Sequence, residues 1–167
     1  MVGALAPLLA EGRLLFLKLA ILSSMSERHL TRTAVFIILE KDNKVFFLRR
    51  ANTGWADGLL TIPAGHVDQG DQVRESAIKE TKEEACIDVE MDDLEFVHVD
   101  YLRDEYTNFY FKAKKWKGEP KLGELHLASE AVWIDKDEIP EDVTPQLQRL
   151  FKQMKEGSYF SEIEREV

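Results

Sequence analysis

From Asp71 to Ala85 the chain carries neither Pro nor Gly, whereas Pro63, Gly65 and Gly70 crowd its approach. The stretch DQVRESAIKETKEEA predicts a helix over residues 72–85 with Asp71 as its N-cap. At about 100° per residue, with Val73 at zero, Ala77, Thr81 and Ala85 fall at about 40°, 80° and 120° and form the buried face. Glu80, Glu83 and Glu84 fall at about 340°, 280° and 20°, a single arc that overlaps the edge of that face. Lys79 and Lys82 point elsewhere, at about 240° and 180°. A solvated face would interleave Lys with Glu one turn apart, but Glu80 and Glu84 are like charges at that spacing and repel. Clustered carboxylates with no Cys or His among them suit a hard cation, Mg²⁺ or Mn²⁺. The fold must therefore bury one side of this helix and leave the adjoining arc open to an ion.

The segments around the helix read mainly as strands. TRTAVFIIL and KVFFLRR are β-branched and aromatic runs joined by the turn-like KDNK, a hairpin pattern. LLTIP is a short strand stopped by Pro63. LEFVHVDYLR and YTNFYFKAKKW form two more strands around RDE, and EAVWID another. Near the end, Thr144 is an N-cap candidate and Pro145 suits the first helical position. Leu147, Leu150, Phe151 and Met154 form a helical stripe that Gly157 can close. This order predicts one mixed α/β (α+β) domain over residues 29–161 with a tail at 162–167.

Residues 1–28 differ. LAPLLAEGRLLFLKLAILSSM has apolar runs too short to span a bilayer, and charges interrupt any signal-peptide core. An amphipathic helix and a non-native extension upstream of Met25 both remain open. The formal net charge of −9 argues against binding a nucleic acid polymer or an anionic membrane. It also opposes a phosphate-bearing ligand, unless a bound cation reverses the local sign. The single cysteine, Cys86, excludes an internal disulfide and a Cys-based zinc site, and fits a cytoplasmic location.

Residues 65–87, GHVDQGDQVRESAIKETKEEACI, resemble the Nudix box: Gly, five residues, Glu, seven residues, then Arg-Glu-aliphatic-x-Glu-Glu-x-Gly-aliphatic. Gly65, Glu80, Glu83, Glu84 and Ile87 match. Asp71 replaces the first Glu, Lys79 the Arg, Thr81 an aliphatic residue and Cys86 the Gly. If position 86 requires positive φ, Cys is strained there. The likeness extends to the LRR-NTGWADG-PAGH approach, the WKGEP turn and the closing helix, and is closest to MutT-like members. It implies a Nudix-type α/β/α sandwich with a mixed sheet and a loop-helix-loop catalytic motif.

The resemblance further implies metal-dependent hydrolysis of a nucleoside diphosphate linked to another moiety. Glu80, Glu83 and Glu84 would hold Mg²⁺ or Mn²⁺ with the Gly65 carbonyl. Lys79 stands in for the Arg beside them, and Glu119 of the WKGEP turn would help as base or extra ligand. Arg49 and Arg50 end a strand and are phosphate-binding candidates; Trp55 is a candidate for base stacking. Solvent-facing ends and loop packing are the plainer readings of those three residues. Phe109, Tyr110 and Phe111 read as core, and His66, His98 and His126 as structural, since they lack zinc spacing.

The resemblance implies a small-molecule nucleotide as substrate, and a homodimer is left open. Tyr101 and Tyr106 bracket, without filling, the position where diadenosine polyphosphate members carry a Tyr. No Pro lies between Pro63 and Pro120, where ADP-ribose members carry one. By elimination the expected substrate is a nucleoside or deoxynucleoside triphosphate, cleaved to monophosphate and pyrophosphate. The alternatives are ADP-ribose or another NDP-sugar, a weakened Nudix module that only binds nucleotide, and an interaction module whose acidic helix is mere surface.

Overall fold

The first hairpin forms around KDNK. Strands β1 (Arg32–Lys41) and β2 (Lys44–Arg50) run antiparallel. Asp42 and Asn43 between them have φ of 52° and 63°, the left-handed pair that a two-residue hairpin turn requires and that Asp and Asn tolerate. These coordinates are a computed structural model that describes residues 29–164. The expectations for segment 1–28 and for residues 165–167 lie outside the described residues.

Every other strand is placed relative to this hairpin. Early residues of β1 pair with β4 (Ala64–His66), and β1 runs parallel to β6 (Tyr106–Ala113). β3 (Leu60–Thr61) and β7 (Ala128–Asp135) flank β2; β5 (Leu94–Leu102) lies beyond β6, and β8 (Phe160–Ile163) pairs parallel with β5. Together they make one mixed sheet of eight strands. The sheet thus continues past residue 161, so 162–167 is not all tail. His98, almost fully buried, secures that last strand: Nδ1 donates to the Ser158 carbonyl, and Nε2 meets the Ser161 hydroxyl, each at 3.0 Å. Among the described residues no helix is long and apolar enough to cross a membrane.

Two helices cover opposite faces. Helix α1 (Val73–Ala85) contributes Ala77 and Ala85 to a core with Val35, Ile37, Leu39, Phe46, Leu48 and Phe111. Helix α2 (Pro145–Lys155) packs Leu147 and Leu150 on Ala34, Phe36, Ile38, Val45, Phe47 and Tyr110. Consecutive residues of β1 and β2 alternate between the two cores, which explains why both strands read as unbroken apolar runs. Phe109, Tyr110 and Phe111 join these cores, as expected.

The buried face of α1 consists of small residues, Ser76, Ala77, Thr81 and Ala85, so the helix can lie close against the sheet. Arg74 fastens its first turn, with its guanidinium 5.2 Å from the Phe111 ring centroid and NH1 donating to the Met91 and Leu94 carbonyls. Asp71 is not the N-cap. Gln72 occupies that position, and the Glu75 carboxylate accepts its backbone N–H at 2.8 Å, closing a reciprocal capping box. Thr144 does take the N-cap position of α2, but its buried hydroxyl has no partner among the described residues.

Candidate active site

The arc of glutamates on α1 faces a cleft of about 530 Å³, a volume typical of small-molecule sites. Glu80, Glu83 and Glu84 line it from the helix, Ala64, Gly65 and His66 from β4, Leu48, Arg50, Asn52 and Thr53 from the end of β2 and its loop, and Glu124 from the segment before β7. Gly65 leaves room for one of these carboxylates: a Cβ at this position would lie 2.0 Å from Glu80 Oε1, so any side chain there would displace the Glu80 carboxylate from the strand backbone.

Glu80 and Glu84 are partly buried, and among the described residues neither forms a salt bridge. Burial, and next the Glu83 charge, pushes the Glu80 carboxyl up to about 7. Burial pushes Glu84 up to about 8; the Ala64 N–H, donating at 2.8 Å, opposes the rise, and Glu80 and Glu124 reinforce it. Glu83 is exposed on the same arc. Hard oxygen donors that repel one another beside the backbone of β4 fit a divalent cation. Among the described residues no three His, Cys, Asp or Glu side chains already converge on a common point. The fit therefore needs the Gly65 carbonyl, water and ligand oxygens to complete the shell, as is usual for Mg²⁺.

The other candidate residues scatter. Glu119 lies outside the cleft, its side chain 87% exposed, with only a loose pair to Lys41 at 3.8 Å. The reason is the path of its loop. Trp116 and Leu122 pack on the helix-side core, which turns Glu119 outward and brings the chain back across the end of α1. There the backbone N–H groups of Lys121 and Gly123 donate to the Ala85 and Glu84 carbonyls at 3.1 and 2.9 Å, satisfying open groups of the last turn. A Cβ at Gly123 would lie 1.9 Å from the Glu83 carbonyl oxygen. Glu124 follows immediately and enters the cleft. Sequence reasoning missed it, although LGE repeats the Gly-Glu of the preceding turn and offered a signal.

Lys79 also stays out of the cleft lining. It pairs at 2.8 Å with Asp68, which does line it, and holds that carboxyl below the usual range. Cys86 ends the helix with φ of 57° and ψ of 32°, the left-handed conformation expected at the replaced Gly. The pleat separates the two arginines. Arg49 turns from the cleft and is held by Glu130, Asp142 and the Gly58 carbonyl at 2.8–2.9 Å. Arg50 lines the cleft, with Nε donating to the Trp55 carbonyl and NH2 to the Thr53 hydroxyl. Trp55 lies outside the lining, its ring under the Arg50 guanidinium at 5.2 Å. His66 lines the cleft and meets the Tyr106 hydroxyl at 3.1 Å, so it is not purely structural in position.

Known proteins share this architecture. The NUDIX domain family model matches residues 29–154. The 8-oxo-dGTP diphosphatase of Escherichia coli (strain K12) is 28% identical over 123 residues, covering 70% of this chain and 95% of its own length. The ADP-ribose pyrophosphatase of Methanocaldococcus jannaschii is 32% identical over 110 residues, 64% of this chain and 63% of that protein. A MutT NUDIX hydrolase structure from Burkholderia pseudomallei matches with a TM-score of 0.67 at 21% identity, covering 74% of this chain and 98% of that one. A likeness at that identity concerns the fold alone.

Proposed function

The chain belongs to the Nudix hydrolase family, and on that premise we propose that it hydrolyses a nucleoside or deoxynucleoside triphosphate to the monophosphate and pyrophosphate, with Mg²⁺. The observation that carries the reading is the set Glu80, Glu83, Glu84 and Glu124 lining one cleft with Gly65 and a single arginine, Arg50. Glu80, Glu83, Glu84 and the Gly65 carbonyl would hold the ion, and Glu124 is a further donor. When bound, Mg²⁺ supplies charge neutralisation at the phosphate oxygens and a more acidic attacking water.

The chain's own residues do the rest. The Ala64 N–H orients the Glu84 carboxylate. Lys79 ties Asp68 to α1 and so anchors the loop leading into the helix. Arg50 offers a guanidinium to a phosphate oxygen, whereas Arg49, already held by two carboxylates, belongs to the scaffold. The diphosphatase relative, matched over nearly its whole length, supports a triphosphate. The second reading, an ADP-ribose or other NDP-sugar substrate, rests on the relative from Methanocaldococcus jannaschii. Residues 29–163 form the proposed catalytic unit, in the cytoplasm.

A panel of nucleoside triphosphates and diphosphate-linked nucleotides, assayed with Mg²⁺ and with chelator, tests the proposal. Pyrophosphate release from a triphosphate, abolished by chelator, is the expected result. Turnover of ADP-ribose alone selects the second reading, and nucleotide binding without turnover of any substrate sinks both.

A further inference from the structure

The loop 51–58 between β2 and β3 is built around one carboxylate. Asp57 accepts the Thr53 hydroxyl at 2.6 Å, the Thr53 N–H at 3.0 Å and the Gly54 N–H at 3.1 Å. Ala56 adopts φ of 52°, a region that residues with a Cβ populate sparsely, so these bonds hold it against its local preference. The loop engages the Arg50 guanidinium on two edges and one face. Nε donates to the Trp55 carbonyl at 3.0 Å, NH2 donates to the Thr53 hydroxyl at 2.9 Å, and the indole lies beneath at 5.2 Å. NH1 has no hydrogen-bond partner among the described residues, and Arg50 is the one Lys or Arg lining the cleft.

We infer that loop 51–58 is a rigid arm that holds Arg50 for a phosphate group of the substrate, with Trp55 and Asp57 as its positioning residues. The inference rests on the proposed function and deepens it. An arginine left loose must lose rotamer freedom each time it binds, whereas one already braced loses little. Beside Glu80, Glu83, Glu84 and Glu124 the brace has a second use: it keeps the guanidinium from folding onto those carboxylates and occupying the ion's place. Trp55 then acts through Arg50 and not by stacking on the nucleobase.

The experiment is a double-mutant cycle in the Mg²⁺-loaded enzyme on its best triphosphate. Arg50→Gln raises KM about tenfold and leaves kcat within about threefold, as loss of one charged hydrogen bond in the ground and transition states alike would do. Trp55→Leu and Asp57→Asn raise KM in the same direction, and Trp55→Phe, which keeps an aromatic face, restores it. Arg50→Gln combined with Trp55→Leu is no worse than Arg50→Gln alone, because Trp55 has nothing left to hold. Additive effects, or an unchanged KM in Trp55→Leu, overturn the inference; additivity would return Trp55 to direct contact with substrate. If the wild type turns over no nucleotide, the proposed function fails, and calorimetric binding of pyrophosphate with Mg²⁺ to the same variants decides the loop separately. Weaker binding in Arg50→Gln and Trp55→Leu sustains the arm. Equal binding, or none to wild type, overturns it.

Discussion

A buried aspartate and a partly buried pair of glutamates sit on opposite faces of one sheet, and they are treated differently. On the α2 face, Asp100 is almost wholly buried, yet its oxygens accept the Asn108 amide and the Tyr110 hydroxyl, each at 2.8 Å. Burial raises its pKa, and those two bonds pull it back. On the α1 face, Glu80 and Glu84 rise to about 7 and about 8, and among the described residues the one hydrogen bond to the pair, from the Ala64 N–H, falls on Glu84. A satisfied buried polar group stabilises the fold it belongs to. Carboxylates that are partly buried, mutually repelling and open to a cleft are held for something else. The contrast separates a structural carboxylate from a functional pair without appeal to motif.

The largest expected effect tests the functional side. Glu84→Gln should lower kcat by about a hundredfold or more, since the ion carries much of the charge stabilisation. Stability without metal should be unchanged or higher, because a like charge has been removed. Turnover within tenfold of wild type would equate the two sites. On the structural side, Asp100→Ala strands the Tyr110 hydroxyl and Asn108 amide and should cost about 3 kcal/mol in denaturant unfolding. Its kcat, measured well below the melting midpoint, should stay near that of wild type; a collapse of kcat there would erase the distinction.

Ligand linkage comes next in size. Mg²⁺ at about a hundred times its Kd should stabilise wild type by roughly 2.7 kcal/mol. Asp100→Ala should keep that increment and Glu84→Gln should lose much of it, as read by thermal shift. The pH response has a definite sign. Glu80 and Glu84 have folded pKa values raised from 4.5 to about 7 and about 8, so the folded state binds more protons than the unfolded one. Their contribution is complete below pH 4.5 and is lost as pH rises to about 8. In chelator, the melting midpoint of wild type should fall across that window more steeply than that of Glu84→Gln; Mg²⁺, which favours the ionised forms, should flatten it. Equal slopes in chelator would argue against buried, uncompensated carboxylates.

The smallest effect concerns the end of α1. Cys86 pays a left-handed backbone cost that Gly avoids, partly offset by the greater freedom of Gly when unfolded. Cys86→Gly should therefore raise stability by about 0.5 kcal/mol. A loss of stability would mean that the Cys86 packing beside Gly123 outweighs the strain.

Local features were legible in the sequence because they depend on near neighbours. The KDNK turn, the α1 arc of Glu80, Glu83 and Glu84 and the Leu147–Leu150 stripe all follow from helical or strand periods and single-residue conformational limits, whereas the positive φ at position 86 was suggested only by the Gly that the family resemblance places there. Two of the short strands were not legible. β4 and β8 have no periodicity to display, and β8 exists because His98 and β5 hold it.

Which charged groups reach the cleft was decided by the tertiary structure. KVFFLRR is buried on both faces, so no alternation marked whether Arg49 or Arg50 would turn toward the ion, and only the pairing of β2 with β3 and β7 fixed it. Glu119 and Glu124 both follow a Gly in the same loop. The family resemblance pointed to the turn residue Glu119, but Trp116 and Leu122, packing on a core assembled from distant strands, turned that residue outward and carried Glu124 in. A helix's own period positions its glutamates to within a side-chain width, whereas a loop's residues go where its buried anchors lead.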